Sequence, residues 1–260
     1  MCRWLAYFGT PRVIESFVYE GDHSLSAQAL HSHKAKLGVQ GDGGGLGWYS
    51  HLPEPGLYRN PGPAWSDPNL RELSCHVTSH IFFAHVRAST GAPNIFVNCH
   101  PFRYGKWLFM HNGQIGGFSQ IKRRLQEHLT DVTYTALQGS TDSEMLFMIM
   151  ASKGLEKCPK EALRDTVSIV EEIRRSEGIE EPFRATFAIS NGEQLWTLKW
   201  ASDAQAPSLF YRNNDPTSVL VVSEPLDKES TSWIEINENS LLHFCKQADG
   251  QITEKVERFL

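Results

Sequence analysis

Cys2 stands where its chemistry depends on processing, directly after the initiator methionine. With Met1 removed, the residue's own α-amine (reference pKa ~7.7–8.0) lies beside its own thiol (~8.5), so base and nucleophile come in one residue at neutral pH. Methionine aminopeptidase generally removes the initiator when a small residue follows, and cysteine is small enough. Position alone does not establish this use, because many proteins carry a cysteine there for no catalytic reason.

Other segments follow in order: Gly41-Asp42-Gly43-Gly44-Gly45-Leu46-Gly47-Trp48, His85-Val86-Arg87-Ala88-Ser89-Thr90, Asn98-Cys99-His100-Pro101-Phe102, Phe109-Met110-His111-Asn112-Gly113 and Gly139-Ser140-Thr141-Asp142-Ser143-Glu144. Each has a plain reading in isolation. Asn112-Gly113 suits a turn after a strand, Asp142 the first turn of a helix, and Arg87 a surface ion pair. In this order, and with Met1 to Tyr7 at the start, they closely resemble the glutaminase domain of the class II glutamine amidotransferases, which are N-terminal-nucleophile hydrolases. The resemblance runs from Cys2 to about Met150, and Ser223-Glu224-Pro225-Leu226 is similar to the stand-alone branch of that family.

The resemblance implies a role for each residue. Cys2 attacks the γ-amide carbon of glutamine or a γ-glutamyl compound, and water then hydrolyses a γ-glutamyl thioester. The Asn112 side-chain amide and the Gly113 backbone N–H stabilise the oxyanion, a contribution of ~3–4 kcal/mol per donor. Arg87 grips the substrate α-carboxylate with assistance from Thr90, and Asp142 accepts the α-ammonium. His100 supports the site through hydrogen bonds rather than as general base. Larger amidotransferases often carry a histidine shortly after the arginine motif, whereas Gly91-Ala92-Pro93 follows here. That departure implies a site open to a larger γ-glutamyl compound.

Ser223-Glu224 either lines the pocket or turns the chain before Pro225. The Gly41 to Gly47 run lacks the Lys-Ser/Thr ending of a nucleotide-phosphate loop, so its glycines are expected to allow close packing near the nucleophile. No cofactor or metal is expected, because the histidines and cysteines match no compact ligand spacing. The partner is a small molecule. Released ammonia passes to a separate ammonia-accepting synthetase or simply leaves, since little chain follows the glutaminase-like region. A non-catalytic γ-glutamyl-ligand-binding or scaffold subunit of a biosynthetic complex is the alternative; the complete set of reactive groups speaks against it.

These residues need a frame. The chain has 260 residues, 40% hydrophobic and 11% aromatic, enough for one large domain expected over residues 2–260. A net charge of -5 with mixed signs gives no footprint for nucleic acid or an anionic membrane. No apolar run suits a signal peptide or a membrane span, and five cysteines without close pairs suggest no disulfide framework, so a cytoplasmic protein is expected.

Strand-like runs occur at Arg3 to Phe8, Ile81 to Val86, Trp107 to His111, Ala185 to Ser190, Gln194 to Trp200, Ser218 to Ser223 and Leu241 to Cys245. Asn191-Gly192 predicts a hairpin. Helical spacing appears in Phe118, Ile121, Leu125 and Leu129, and in Leu163, Val167 and Val170. Thr141 to Glu144 has capping-box spacing ahead of an apolar run, which predicts a helix buried on most faces. The Pro53 to Pro68 stretch is expected to be a long surface loop whose Trp65 could cover a site. These signals indicate an α+β fold, and the resemblance makes it a four-layer αββα sandwich of two mostly antiparallel sheets.

Overall fold

The computed structural model describes residues 2–30, 41–88, 92–229 and 232–260. In chain order the strands are β1 (Arg3–Val13), β2 (Gly44–Trp48), β3 (Gly56–Asn60), β4 (Thr78–Val86), β5 (Phe102–Tyr104), β6 (Trp107–Gln114), β7 (Arg184–Ser190), β8 (Gln194–Ala201), β9 (Phe210–Arg212), β10 (Ser218–Val222), β11 (Ile234–Glu235), β12 (Ser240–Lys246) and β13 (Ile252–Arg258). The helices are α1 (Glu15–Val18), α2 (Leu25–Leu30), α3 (Pro68–His76), α4 (Phe118–Gln126), α5 (Asp131–Ala136), α6 (Asp142–Ser152) and α7 (Pro159–Ser176). One sheet has seven strands in the order β11-β9-β10-β1-β4-β2-β3, the other six in the order β13-β12-β8-β7-β6-β5. Every pairing among the described residues is antiparallel.

Side chains alternate across each strand, and the alternation builds the layers. Trp4, Ala6 and Phe8 of β1 meet Leu108 and Met110 of β6 in a core between the sheets. Leu5 and Tyr7 face the other way, into a cluster with α1, α2 and α3. Trp107 and Phe109 pack outward against α4, α6 and α7. The result is the expected α+β sandwich, helices outside and two sheets inside.

Helix α6 is buried from Ser143 to Met150, as its apolar run predicts. Thr141 caps it by accepting from the Glu144 N–H at 3.1 Å. The reciprocal half of the box does not form. Glu144 instead accepts from the main-chain N–H groups of Gln138 and Gly139, fastening the approach to the helix. Asn191 accepts from Glu193 and Gln194 while Gly192 takes φ +92, closing the β7–β8 hairpin.

The 53–68 stretch is not a loop throughout. It carries β3, paired along β2, and a short 3-10 turn at Ala64–Ser66. A short, half-exposed edge strand flanked by prolines offers no alternation to read. Trp65 packs half-buried against the outer cluster, as Tyr19 and Trp48 do, and is not among the described residues that line the cavity containing Cys2. Gly45 of β2 lies so close to the carbonyls of His100 and Tyr58 that a side chain there would collide with both. No helix among the described residues is long and apolar enough to cross a membrane.

Candidate active site

Cys2 immediately precedes β1, whose first residue, Arg3, pairs with Val86 at the end of β4. The chain beyond β4 therefore runs alongside the cysteine. The Ala88 N–H points at Cys2 Sγ at 3.4 Å, and Sγ lies 3.6 Å from the Ala88 carbonyl. Burial pushes the Cys2 thiol up; the Ala88 hydrogen bond and the nearby Arg87 and Arg3 cations pull the other way.

Arg87 is only 4% exposed, which removes the surface ion pair as its setting. Its main-chain N–H reaches the Gly43 carbonyl at 2.8 Å, and its guanidinium donates to the Ala92 carbonyl at 3.2 Å, with longer contacts to Pro93 and Asn94. The guanidinium thus holds Ala92, Pro93 and Asn94 while lining the same cavity as Cys2. Thr90, assigned to the carboxylate site by resemblance, lies outside the described residues.

The second wall comes from β6. Asn112 and Gly113 are not a turn; they continue the strand, opposite Thr186 and Ala185 of β7. By strand parity Asn112 shares the inward face with Leu108 and Met110, as Cys2 does with Trp4 and Ala6. Both lie where the inter-sheet layer turns from apolar to polar. Nδ2 of Asn112 is buried with no hydrogen-bond partner among the described residues, an arrangement native proteins seldom leave without a reason. Gly113 borders the cavity, and any side chain there would meet the Arg184 carbonyl and the His111 ring.

Asp142 opens α6 and also borders the cavity. Its Oδ2 accepts from the Ile115 N–H at 3.0 Å and its Oδ1 from Ser143 N–H at 2.8 Å. It therefore joins the end of β6 to the helix, beyond any interaction with the helix dipole.

His100 lines the cavity, but not through hydrogen bonds as expected. Neither ring nitrogen has a partner among the described residues; the ring stacks on His85 at 4.2 Å and meets the edge of Phe102 at 4.6 Å. Among the described residues its neighbours are rings, and these offer its nitrogens no hydrogen bond. Burial, reinforced by His85, His111 and Arg87, lowers His100 well below the ordinary histidine value. Burial and Arg87 lower His85 to about 3. Both rings are neutral at pH 7 and weak as bases.

Two features escaped the sequence reading. His111 borders the cavity with Nδ1 at 2.9 Å from Ser143 Oγ, a pairing hidden because the residues sit on different elements. Arg3, adjacent to the cysteine, forms a buried ion pair with Glu224 at 2.7 Å. Ser223 and Glu224 consequently do not line the cavity, and Ser223 holds Trp4 by its N–H and carbonyl. Among the described residues, no group of three or more His, Cys, Asp or Glu could hold a metal ion.

The cavity measures about 680 Å³ and joins Cys2, Arg87, His100, Gly113 and Asp142. Phe118, Lys122 and Glu181 also line it, so both charge signs reach its wall.

Comparison with known proteins gives this geometry a family. The model for class II glutamine amidotransferases matches residues 16–205, a span that starts after Cys2. The probable glutamine amidotransferase DUG3 of Saccharomyces cerevisiae is 31% identical over 95% of this chain and 82% of its own. The gamma-glutamyl-hercynylcysteine sulfoxide hydrolase of Mycolicibacterium smegmatis is 26% identical over 93% and 95%. Among solved structures, a glutamine aminotransferase class-II domain protein from Silicibacter pomeroyi matches with a TM-score of 0.76 and 36% identity, covering 100% of both chains. The glutamine phosphoribosylpyrophosphate amidotransferase of B. subtilis shares the fold, with a TM-score of 0.69 at 19% identity over 100% of this chain and 49% of its own. From the extent of the family match and of the yeast relative, the chain belongs to the class II glutamine amidotransferases.

Proposed function

We propose that the protein hydrolyses the γ-amide of glutamine or a γ-glutamyl compound, using Cys2, freed of Met1, as nucleophile. The observation that carries this reading is the convergence of the Cys2 thiol, the Arg87 guanidinium and the Asp142 carboxylate on one cavity of about 680 Å³. That volume lies within the roughly 300–1,000 Å³ of sites for drug-sized ligands, which favours a substrate with a substituent beyond the amide.

In this mechanism Arg87 pairs with the substrate α-carboxylate, aided by Thr90, and Asp142 with the α-ammonium. His100 forms a neutral wall. The Cys2 α-amine takes the thiol proton as sulfur bonds to the γ-carbon. Asn112 Nδ2 and the Gly113 N–H stabilise the oxyanion while the proton passes to the leaving nitrogen. The C–N bond breaks, ammonia or an amine departs, and water cleaves the thioester to give glutamate and the free thiol. No step calls on a cofactor. A burial-raised thiol, in contact with main chain and near imidazoles that are weak bases, favours the α-amine as base. Ammonia released from glutamine is available to a separate synthetase.

The test is glutamate release by purified protein from glutamine and a panel of γ-glutamyl amides, with mass-spectrometric mapping of a glutamine-like electrophile. Activity lost in Cys2→Ala, with the label on Cys2, supports the reading. Full activity in Cys2→Ala overturns it.

A further inference from the structure

We propose that Arg3 and Glu224 are positioning residues that aim the Cys2 nucleophile through its own carbonyl; this rests on the reading of Cys2 as nucleophile. Arg3 is 1% exposed and Glu224 6%, and Nε of Arg3 donates to Glu224 Oε2 at 2.7 Å. The same guanidinium donates from Nη1 to the Cys2 carbonyl at 3.0 Å. One planar group therefore links a carboxylate 221 residues away to the peptide unit that ends the nucleophilic residue.

The surroundings hold that link in place. Ser223 exchanges hydrogen bonds with the Trp4 backbone, its Oγ accepting from Trp4 N–H at 2.9 Å and its N–H donating to the Trp4 carbonyl at 3.0 Å. Gln28 Nε2 donates to the carbonyls of Glu224 at 3.2 Å and Pro225 at 3.1 Å, fixing the acid's own backbone. Cys2 lies just outside β1, so the Arg3 contact to its carbonyl restrains the torsions that direct its amine and thiol.

A buried ion pair adds little net stability over apolar residues of the same shape, but its geometry is directional. Neither Arg3 nor Glu224 is among the residues that line the cavity, and the guanidinium is engaged with Glu224 and the Cys2 carbonyl. Their loss should act on turnover and not on binding, since a small misplacement of a reacting atom is enough to slow chemistry strongly.

The experiment compares Arg3→Met, Glu224→Ala and Glu224→Gln, each freed of Met1, by steady-state kinetics and by the rate of Cys2 alkylation with iodoacetamide. Arg3→Met and Glu224→Ala are expected to lower kcat by about tenfold or more with KM within about twofold, and to change the alkylation rate by at least about threefold. Glu224→Gln keeps an acceptor for Arg3 and is expected to recover most of the turnover. Where Arg3→Met or Glu224→Ala does not fold, Glu224→Asp, one methylene shorter, is read in the same two ways. Unchanged kcat and unchanged alkylation, or a loss carried wholly by KM, overturns the proposal. Full activity in Cys2→Ala would instead overturn the nucleophile assignment, so the two failures are distinguishable.

Discussion

The Ile115 N–H donates to Oδ2 of Asp142 at 3.0 Å, tying the strand that carries Asn112 and Gly113 to the first turn of α6. An ionised carboxylate has about four acceptor sites, so this bond and the two from Ser143, by its N–H and its hydroxyl, leave capacity for an ammonium. Asp142→Asn removes the charge while preserving the size. Its KM for the amide substrate is expected to rise roughly 10–100-fold, the equivalent of a hydrogen bond to a charged group. Steady-state kinetics with an unchanged KM would take Asp142 out of the substrate site.

Asn112 carries a buried donor without a partner among the described residues. Asn112→Ala is expected to lower kcat by about 10²–10³-fold. Removing an unsatisfied donor offsets the lost packing, so stability in urea should change by no more than about 1 kcal/mol. A variant that unfolds easily but retains kcat would reverse this assignment.

Processing of Met1 should govern activity. An uncleaved N-terminal extension turns the α-amine into an amide nitrogen without usable basicity, while burial keeps the Cys2 thiol high. Glutamate release is expected to fall about 10²-fold or more when such an extension is retained. Intact-mass measurement on the same samples checks the point; a fully active protein with intact Met1 contradicts it.

His85 predicts an acid-sensitive fold. Its value drops from 6.5 to about 3 through burial and Arg87, so below about 6.5 the unfolded chain takes up a proton that the folded protein refuses. The stability contribution is complete above that pH and is lost as pH falls toward about 3, at about 1.4 kcal/mol per pH unit. His100 shifts in the same direction. Urea unfolding at about pH 5 and about pH 7 should show a smaller difference for His85→Asn than for the native protein. Equal differences would mean that His85 does not titrate as its burial requires.

Much of the frame is legible because burial leaves a pattern. The apolar runs of β1, β4 and β6 reflect strands covered on both faces, and the spacing of Ile121 and Leu125 marks the covered side of α4. Edge strands leave far less. In β13, Thr253 to Val256 are exposed and mostly polar, and β3 lies between prolines. Such edges resist unwanted pairing by the same features that conceal them. Within the site, Cys2, Arg87, His100, Gly113 and Asp142 are recognisable by type and order, and the cavity joins them. The His100 stack on His85 and the Arg3 pair with Glu224 were not legible, because each depends on which strands become neighbours.

The pairing of β1 with β10 also bears on how the surroundings of Cys2 assemble. Leu5 lies opposite Val222, and Trp4 is held by Ser223 across 219 residues of chain. Contacts of such sequence separation carry a large loop-closure entropy and slow folding. During synthesis Cys2 leaves the ribosome early, long before β10 exists to pair with its strand. In a nascent chain Cys2 and β1 therefore exist before the segment that pairs with β1 and holds Trp4 in the folded protein.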